Sequence, residues 1–228
     1  MARRKLPEKI LTDEEEDMLL NQYNKRAPTS IRNKLMIKIM LRIGLRISEV
    51  LNLVVDDIDM MSGKVFISDA KGGKDRVLWV SRELLNDIRE WIDIRTTMIR
   101  EKGVPSPISI QKEDGIEDRK IRDYLFITFN GTPVDDSYMR KKVKSLAKKA
   151  GITNWKKVHP HGLRHTFATK YYSRTNDIFG LADNLGHASV QTTQIYMSIS
   201  DDERMNKLLE YQNRNNQDDE NDEDIEEM

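Results

Sequence analysis

Apolar residues fall on nearly every side of the stretch from Ile31 to Ile43, where Leu35, Met36, Ile37, Ile39, Met40, Leu41 and Ile43 leave little polar face. A helix of that kind belongs inside a core. Ser30, after Pro28, is its expected N-cap, and Gly44 sits where a C-cap is expected. Thr12 followed by Glu15 makes a capping box behind Leu11 and opens an earlier helix containing Met18 and Leu19. Ser48 stands near the start of a third helix carrying Val50, Leu51 and Val54, so Arg46 is held at a junction between two packed helices. From Ile58 to Val80 the pattern shortens to β-rich runs over 64 to 67 and 76 to 80, separated by a turn with Gly72 and Gly73. These predict a hairpin with Lys71 at its tip.

A helix is expected over residues 82 to 101. Residues 102 to 121, with Pro105, Pro107 and Gly115, read as an exposed loop. Tyr124-Leu125-Phe126 and the turn Asn130-Gly131-Thr132-Pro133 precede a helix over 136 to 150 whose apolar stripe is Met139, Val143, Leu146 and Ala147. Its other faces display Arg140, Lys141, Lys142, Lys144, Lys148 and Lys149. Residues 161 to 212 read as helices with short joints, ending in a face of Met205, Leu208 and Leu209. The expected fold class is therefore mainly α with a small antiparallel β-sheet (α+β). One domain over 11 to 212 is expected between a flexible N-terminal arm (1 to 10) and an acidic tail (213 to 228) too poor in apolar residues to fold.

Length changes this picture little, since 228 residues at 38% hydrophobic content support one substantial domain or two small ones. Cysteine is absent, which excludes disulfides and thiolate metal sites. The basic start Met1-Ala2-Arg3-Arg4-Lys5 leads into no apolar run, and no stretch approaches transmembrane length, so a cytoplasmic location is the default expectation. Charge matters more. The chain has 38 basic and 38 acidic residues, but eight acids and one base lie between Gln212 and Met228. Subtracting them leaves 37 bases against 30 acids, a body of net +7 suited to a polyanionic partner.

The candidate chemistry is concentrated near the C-terminal end. His161-Gly162-Leu163-Arg164-His165 is followed by His187 twenty-three residues after Arg164, and by Tyr196 nine residues later. A permanent cation, two imidazoles and a phenol suit attack on a phosphodiester, where phosphate oxygens must be neutralised while a hydroxyl attacks phosphorus. Together with Gly44-Leu45-Arg46-Ile47-Ser48-Glu49 and Lys71-Gly72-Gly73-Lys74-Asp75-Arg76, this ordered set resembles the tyrosine recombinases, also called the phage integrase family, over roughly residues 10 to 212. The resemblance implies a site-specific recombinase or integrase that cleaves and rejoins double-stranded DNA through a 3′-phosphotyrosyl bond, without metal, ATP or cofactor, and that assembles as a tetramer on paired sites. It also implies residue roles. Tyr196 would be the nucleophile, Arg46 and Arg164 the clamp on the nonbridging oxygens, and Lys71 the general acid. His161 would be the proton acceptor and His187 a donor to the phosphate, with Glu49 and His165 in support.

Several readings compete with these. Lys74 lies on the same turn as Lys71, and either could reach a phosphate. Lys74, Arg76, Arg140, Lys141 and Lys144 are the candidate DNA contacts, although charge runs on helices are commonly only solvated faces. His159 reads as a loop residue. His161 and His165 stand at a metal-ligand spacing, yet no carboxylate or cysteine between Trp155 and Arg174 completes a zinc site. A catalytically silent DNA-binding regulator, a type IB topoisomerase and a metal-dependent nuclease remain alternatives. Only 45 residues precede Arg46, whereas most family members carry a core-binding domain there. A compact natural form or a fragment is expected, one that holds DNA weakly without several copies or a partner.

Overall fold

The computed structural model describes residues 9–68, 75–107, 123–187 and 189–193. Its helices are α1 (Asp13–Leu20), α2 (Pro28–Ile43), α3 (Ile47–Asn52), α4 (Arg82–Glu101), α5 (Asp136–Lys149), α6 (Pro160–Thr175) and α7 (Ile178–Leu185). A hairpin of β1 (Lys64–Ile67) and β2 (Arg76–Trp79) lies between α3 and α4. The arrangement is mainly helical with one two-stranded antiparallel sheet.

Helix α2 is the spine, because its all-round apolar surface can be covered only by neighbours on several sides. Leu35, Met36, Ile37, Ile39, Met40, Leu41 and Ile43 are all buried, and α1, α3, α4, α5 and α6 pack on it. It begins one turn earlier than expected. Pro28 occupies the first turn, where its fixed φ suits a helix start, and Ala27 is the N-cap. Ser30 does not cap; its Oγ accepts a hydrogen bond from the Asn24 amide at 2.8 Å. Helix α1 opens on the expected reciprocal box, with Thr12 Oγ1 accepting from Glu15 N and Glu15 Oε2 accepting from Thr12 N, both at 3.2 Å.

The segment before α1 is tied down as well. Leu11 is buried and donates its amide to Thr166 Oγ1 on α6 at 3.1 Å, and Lys9 pairs with Glu15 at 2.7 Å. Lys9 and Ile10 thus belong to the folded part, while the rest of the expected arm and the whole acidic tail lie outside the described residues. Helix α3 stops at Asn52, before Val54, which forms an antiparallel bridge to Tyr124.

Strand register follows the alternation of side chains. Val65, Ile67 and Leu78 face the core, whereas Phe66 and Trp79 face outward and are exposed. Ile67 lies opposite Arg76, so the inner end of β2 delivers an arginine to the base of α3. The expected hairpin tip, with Lys71 and Lys74, and most of the expected loop over 102 to 121 lie outside the described residues.

Candidate active site

Gly44 ends α2 in the left-handed region, at φ 69°, and turns the chain so that Arg46 becomes the N-cap of α3. Glu49, at the third position of that helix, reaches back. Its Oε2 accepts from the Arg46 amide at 2.7 Å and its Oε1 from Arg46 Nη1 at 2.8 Å. The Glu49 side chain is only 6% exposed, and the Arg46 side chain 38%. Arg46 is therefore oriented from beneath by a buried carboxylate while its side chain stays partly exposed.

Arg164 enters from α6. His159 caps that helix, its Nδ1 accepting from the Gly162 amide at 3.2 Å, and so is a structural cap rather than a loop residue. Pro160 fills the first helical position. Arg164 then lies one turn in, on the inward face, and is 3% exposed. Its Nη1 donates to the Gly44 carbonyl at 2.8 Å and its Nη2 to the Leu185 carbonyl at 2.6 Å. Both acceptors are helix C-terminal carbonyls with no partner inside their helix, at the negative end of the helix dipole. Glu49 Oε2 is 3.6 Å from Arg164 Nη1, so both arginines bear on one carboxylate.

The third cation was expected at the DNA. Arg76 instead forks onto Glu49, Nη1 to Oε1 and Nη2 to Oε2 at 3.0 Å each, and its Nε donates to the Asn184 carbonyl at 3.0 Å. Its side chain is 9% exposed. The bidentate geometry matches a planar guanidinium to a carboxylate and makes Arg76 a structural partner of Glu49. Burial pushes the Glu49 carboxyl up, but the hydrogen bonds and charge of Arg76, the Arg46 amide and the charge of Arg164 together hold it below its ordinary value. Among these four groups positive charge exceeds negative by two, as an anion site requires.

His187 follows Gly186, which ends α7 at φ 63°. Its Nε2 lies 3.4 Å from Arg164 Nη2 and its Nδ1 2.8 Å from Thr193 Oγ1. Partial burial, then the charges of Arg164, Arg46 and Arg76, push the imidazole down to about 4, which keeps it neutral at physiological pH. His161 and His165, one turn apart on α6, bring their Nε2 atoms to 3.1 Å with the rings edge to face. One ring donates to the other. Among the described residues, no group of three or more His, Cys, Asp or Glu side chains could hold a metal ion.

Helices α3 and α6 and the end of α7 thus gather four of the expected residues, Arg46, Glu49, Arg164 and His187, while His161 pairs with His165 on α6. Lys71, Lys74 and Tyr196 lie outside the described residues. Lys141 and Lys144 are exposed on α5, which packs on both α3 and α6. Arg140 is partly engaged, its Nε 2.7 Å from Asp136 Oδ1. Thr193 and the carbonyls of Gly44 and Leu185 escaped the sequence reading. The Thr-Thr pair between His187 and Tyr196 was the available signal for the first, and backbone acceptors leave none.

The model of the phage integrase family matches residues 9–203. The chain belongs to that family. Among curated members it is similar to the tyrosine recombinase XerC of Escherichia coli O157:H7 (strain EC4115 / EHEC), at 33% identity over 196 residues, covering 86% of this chain and 57% of the relative. The chain therefore spans a little over half the length of the curated relatives it matches. Among solved structures of family members, the XerA recombinase superposes with a TM-score of 0.70 at 29% identity, covering 91% of this chain and 66% of that one. The XerH site-specific recombinase, in a post-cleavage complex with a palindromic difH substrate, superposes with a TM-score of 0.69 at 26% identity, covering 88% and 52%. The family fold is thus present here from the capped start of α1 through the His187 turn. No helix among the described residues is long and apolar enough to cross a membrane.

A single methyl group tests how closely this phage integrase site depends on its turns. A Cβ at Gly44 would run into the Phe167 ring and would also have to adopt the left-handed conformation. Gly44→Ala is expected to cost roughly 1–3 kcal/mol in urea unfolding. Because the Gly44 carbonyl anchors Arg164, any DNA cleavage by this chain should fall at least tenfold at full folded population. Unchanged cleavage in a destabilised variant would detach this turn from the site.

Proposed function

We propose that this chain is a site-specific DNA recombinase whose Tyr196 attacks a DNA phosphate, forming a 3′-phosphotyrosyl bond and releasing a 5′ hydroxyl. The carrying observation is that Arg46 and Arg164, from different helices, are aligned on the one buried carboxylate of Glu49 beside a neutral His187. Two fixed guanidinium forks can take the two nonbridging oxygens and stabilise the added charge of the transition state. Preorganisation costs nothing at the moment of reaction, because the helix-end carbonyls and Glu49 already hold the forks in place.

Proton transfers complete the step. The Tyr196 proton passes to His161, whose ring is backed by His165, and the leaving 5′ oxygen takes a proton from Lys71, with Lys74 the alternative donor on the same turn. The phosphotyrosyl bond conserves the energy of the phosphodiester, so a 5′ hydroxyl from another strand can reverse the attack without ATP. Arginine charge replaces the role a divalent metal plays in other phosphoryl transfers. Lys141 and Lys144, with Arg140 once released from Asp136, track the DNA backbone from α5. Exchange between strands needs two cleaved duplexes, so the active form is a tetramer of this protein on paired sites, in the cytoplasm where such DNA is reached.

The test uses a pool of nicked duplexes with randomised sequence, in which the released short strand diffuses away and the protein stays attached. A denaturant-resistant protein-DNA band should form and survive excess EDTA, and sequencing the captured DNA should return a recurrent motif. Absence of the band overturns the reading. Loss of cleavage with chelator and its rescue by divalent metal would place the chain among hydrolytic nucleases instead.

A further inference from the structure

His187 faces a donor-only neighbour on one side. Arg164 Nη2 has no lone pair to offer, so Nε2, 3.4 Å away, presents its own lone pair and the ring proton is favoured on Nδ1, provided that Nδ1 finds an acceptor there. Nδ1 then donates to Thr193 Oγ1 at 2.8 Å. This is the wrong tautomer for a phosphate donor, because the nitrogen beside Arg164 carries no hydrogen. Thr193 is fully buried, at 0% exposure, and follows the short turn Val190–Thr192, which packs on α7. Its hydroxyl is both donor and acceptor, and a rotation about the C–O bond exchanges the two roles.

We propose that Thr193 is the positioning residue of His187, its hydroxyl accepting from Nδ1 before DNA binds and donating to Nδ1 when Nε2–H is turned to a phosphate oxygen. The switch removes one proton from Nδ1 and places one on Nε2 by exchange with water, leaving the charge of the ring unchanged. A neutral imidazole is required throughout, since an imidazolium would carry hydrogen on both nitrogens and could accept nothing from either neighbour. Burial beside three arginines supplies that neutrality. Thr193 also stands three residues before Tyr196 in the sequence, so the same hydrogen bond ties the start of the tyrosine-bearing segment to the floor of the site. A valine at this position would match the shape of threonine and lose both roles. A serine would keep the hydroxyl.

The proposal rests on the reading of His187 as a phosphate donor, and the experiment separates the two. Protein labelled with 15N in its four histidines is followed by NMR across pH, the His187 ring being assigned by its loss in His187→Gln. The same variants are run for single-turnover adduct formation on the nicked-duplex pool. In the parent, Nδ1 should carry the proton. Thr193→Val should shift the ring toward the other tautomer or a mixture and slow adduct formation about ten- to a hundredfold, by analogy with metal-bound imidazoles that lose the outer partner holding their ring. Thr193→Ser should restore both the tautomer and the rate to within a few fold. An unchanged tautomer in Thr193→Val, or a slow Thr193→Ser with the parent's tautomer, overturns the assignment. If Thr193→Val moves the tautomer while it and His187→Gln both cleave at the parent's rate, Thr193 still orients the ring, and the reading of His187 as phosphate donor is what fails.

Discussion

Tyr196→Phe is expected to abolish the covalent protein-DNA adduct while leaving DNA binding within about twofold of the parent. The substitution deletes one oxygen, and that oxygen is the atom proposed to bond to phosphorus, so the loss should exceed a thousandfold and reach the detection limit. Binding survives because the arginines and the lysines of α5 remain. Electrophoretic shifts of the nicked-duplex pool measure binding, and denaturing gels of the same samples measure the adduct. An adduct retained in Tyr196→Phe would move the nucleophile elsewhere, with Tyr171 and Tyr172 the phenols on the helix that carries Arg164. Tyr172 is buried in that helix's packing and Tyr171 is raised by burial and the nearby Asp177, so neither is prepared to act as a nucleophile.

The second large effect concerns Glu49. Glu49→Ala leaves the buried guanidiniums of Arg76 and Arg164 without their shared carboxylate, and breaking a buried pair from one side costs roughly 3–5 kcal/mol. Urea unfolding should show that loss, and cleavage should disappear with it because Arg46 also loses its support. Glu49→Gln keeps the shape and an acceptor oxygen but not the charge, and is expected to fall between the parent and Glu49→Ala. Stability in acid separates the parts further. The folded Glu49 lies below its ordinary 4.5, so its contribution is complete above that value and is lost as pH falls through the lower folded one. His187 is held at about 4 against 6.5 when unfolded. Between those values the unfolded chain takes up a proton that the folded chain refuses, so stability falls as pH drops from 6.5 to 4 and then levels off. His187→Gln should flatten that upper window and leave the lower one, and Glu49→Gln the reverse. Identical acid profiles for the parent and both variants would show that neither group governs the folded state.

These outcomes depend on arrangement more than on composition. Local signals in the chain were enough for most elements. The Thr12–Glu15 box, the all-apolar α2 with Gly44 after it, the span of α4 and the stripe of Met139, Val143 and Ala147 are each set by contacts within a few residues, and the structure forms them at the expected places. The start of α2 was misplaced because proline's fixed φ at the first helical position outweighed the capping preference of Ser30, whose hydroxyl serves Asn24 instead. Arg46, Glu49, His161, Arg164 and His187 were legible because an ordered set of short motifs carried them together.

What the sequence determined by itself, then, was the run of helices, the hairpin, the basic body with its acidic tail and a set of candidate reactive side chains, all properties of neighbouring residues. Tertiary structure alone decided which arginine does what. Arg76, Arg46 and Arg164 are the same residue type, and only the convergence of β2, α3 and α6 on Glu49 makes the first a brace, the second a partly exposed fork and the third a buried fork braced by the ends of α2 and α7. The protonation of His187 belongs to the same class, since it follows from burial and from the charges of arginines brought in from distant parts of the chain, where no local pattern records them.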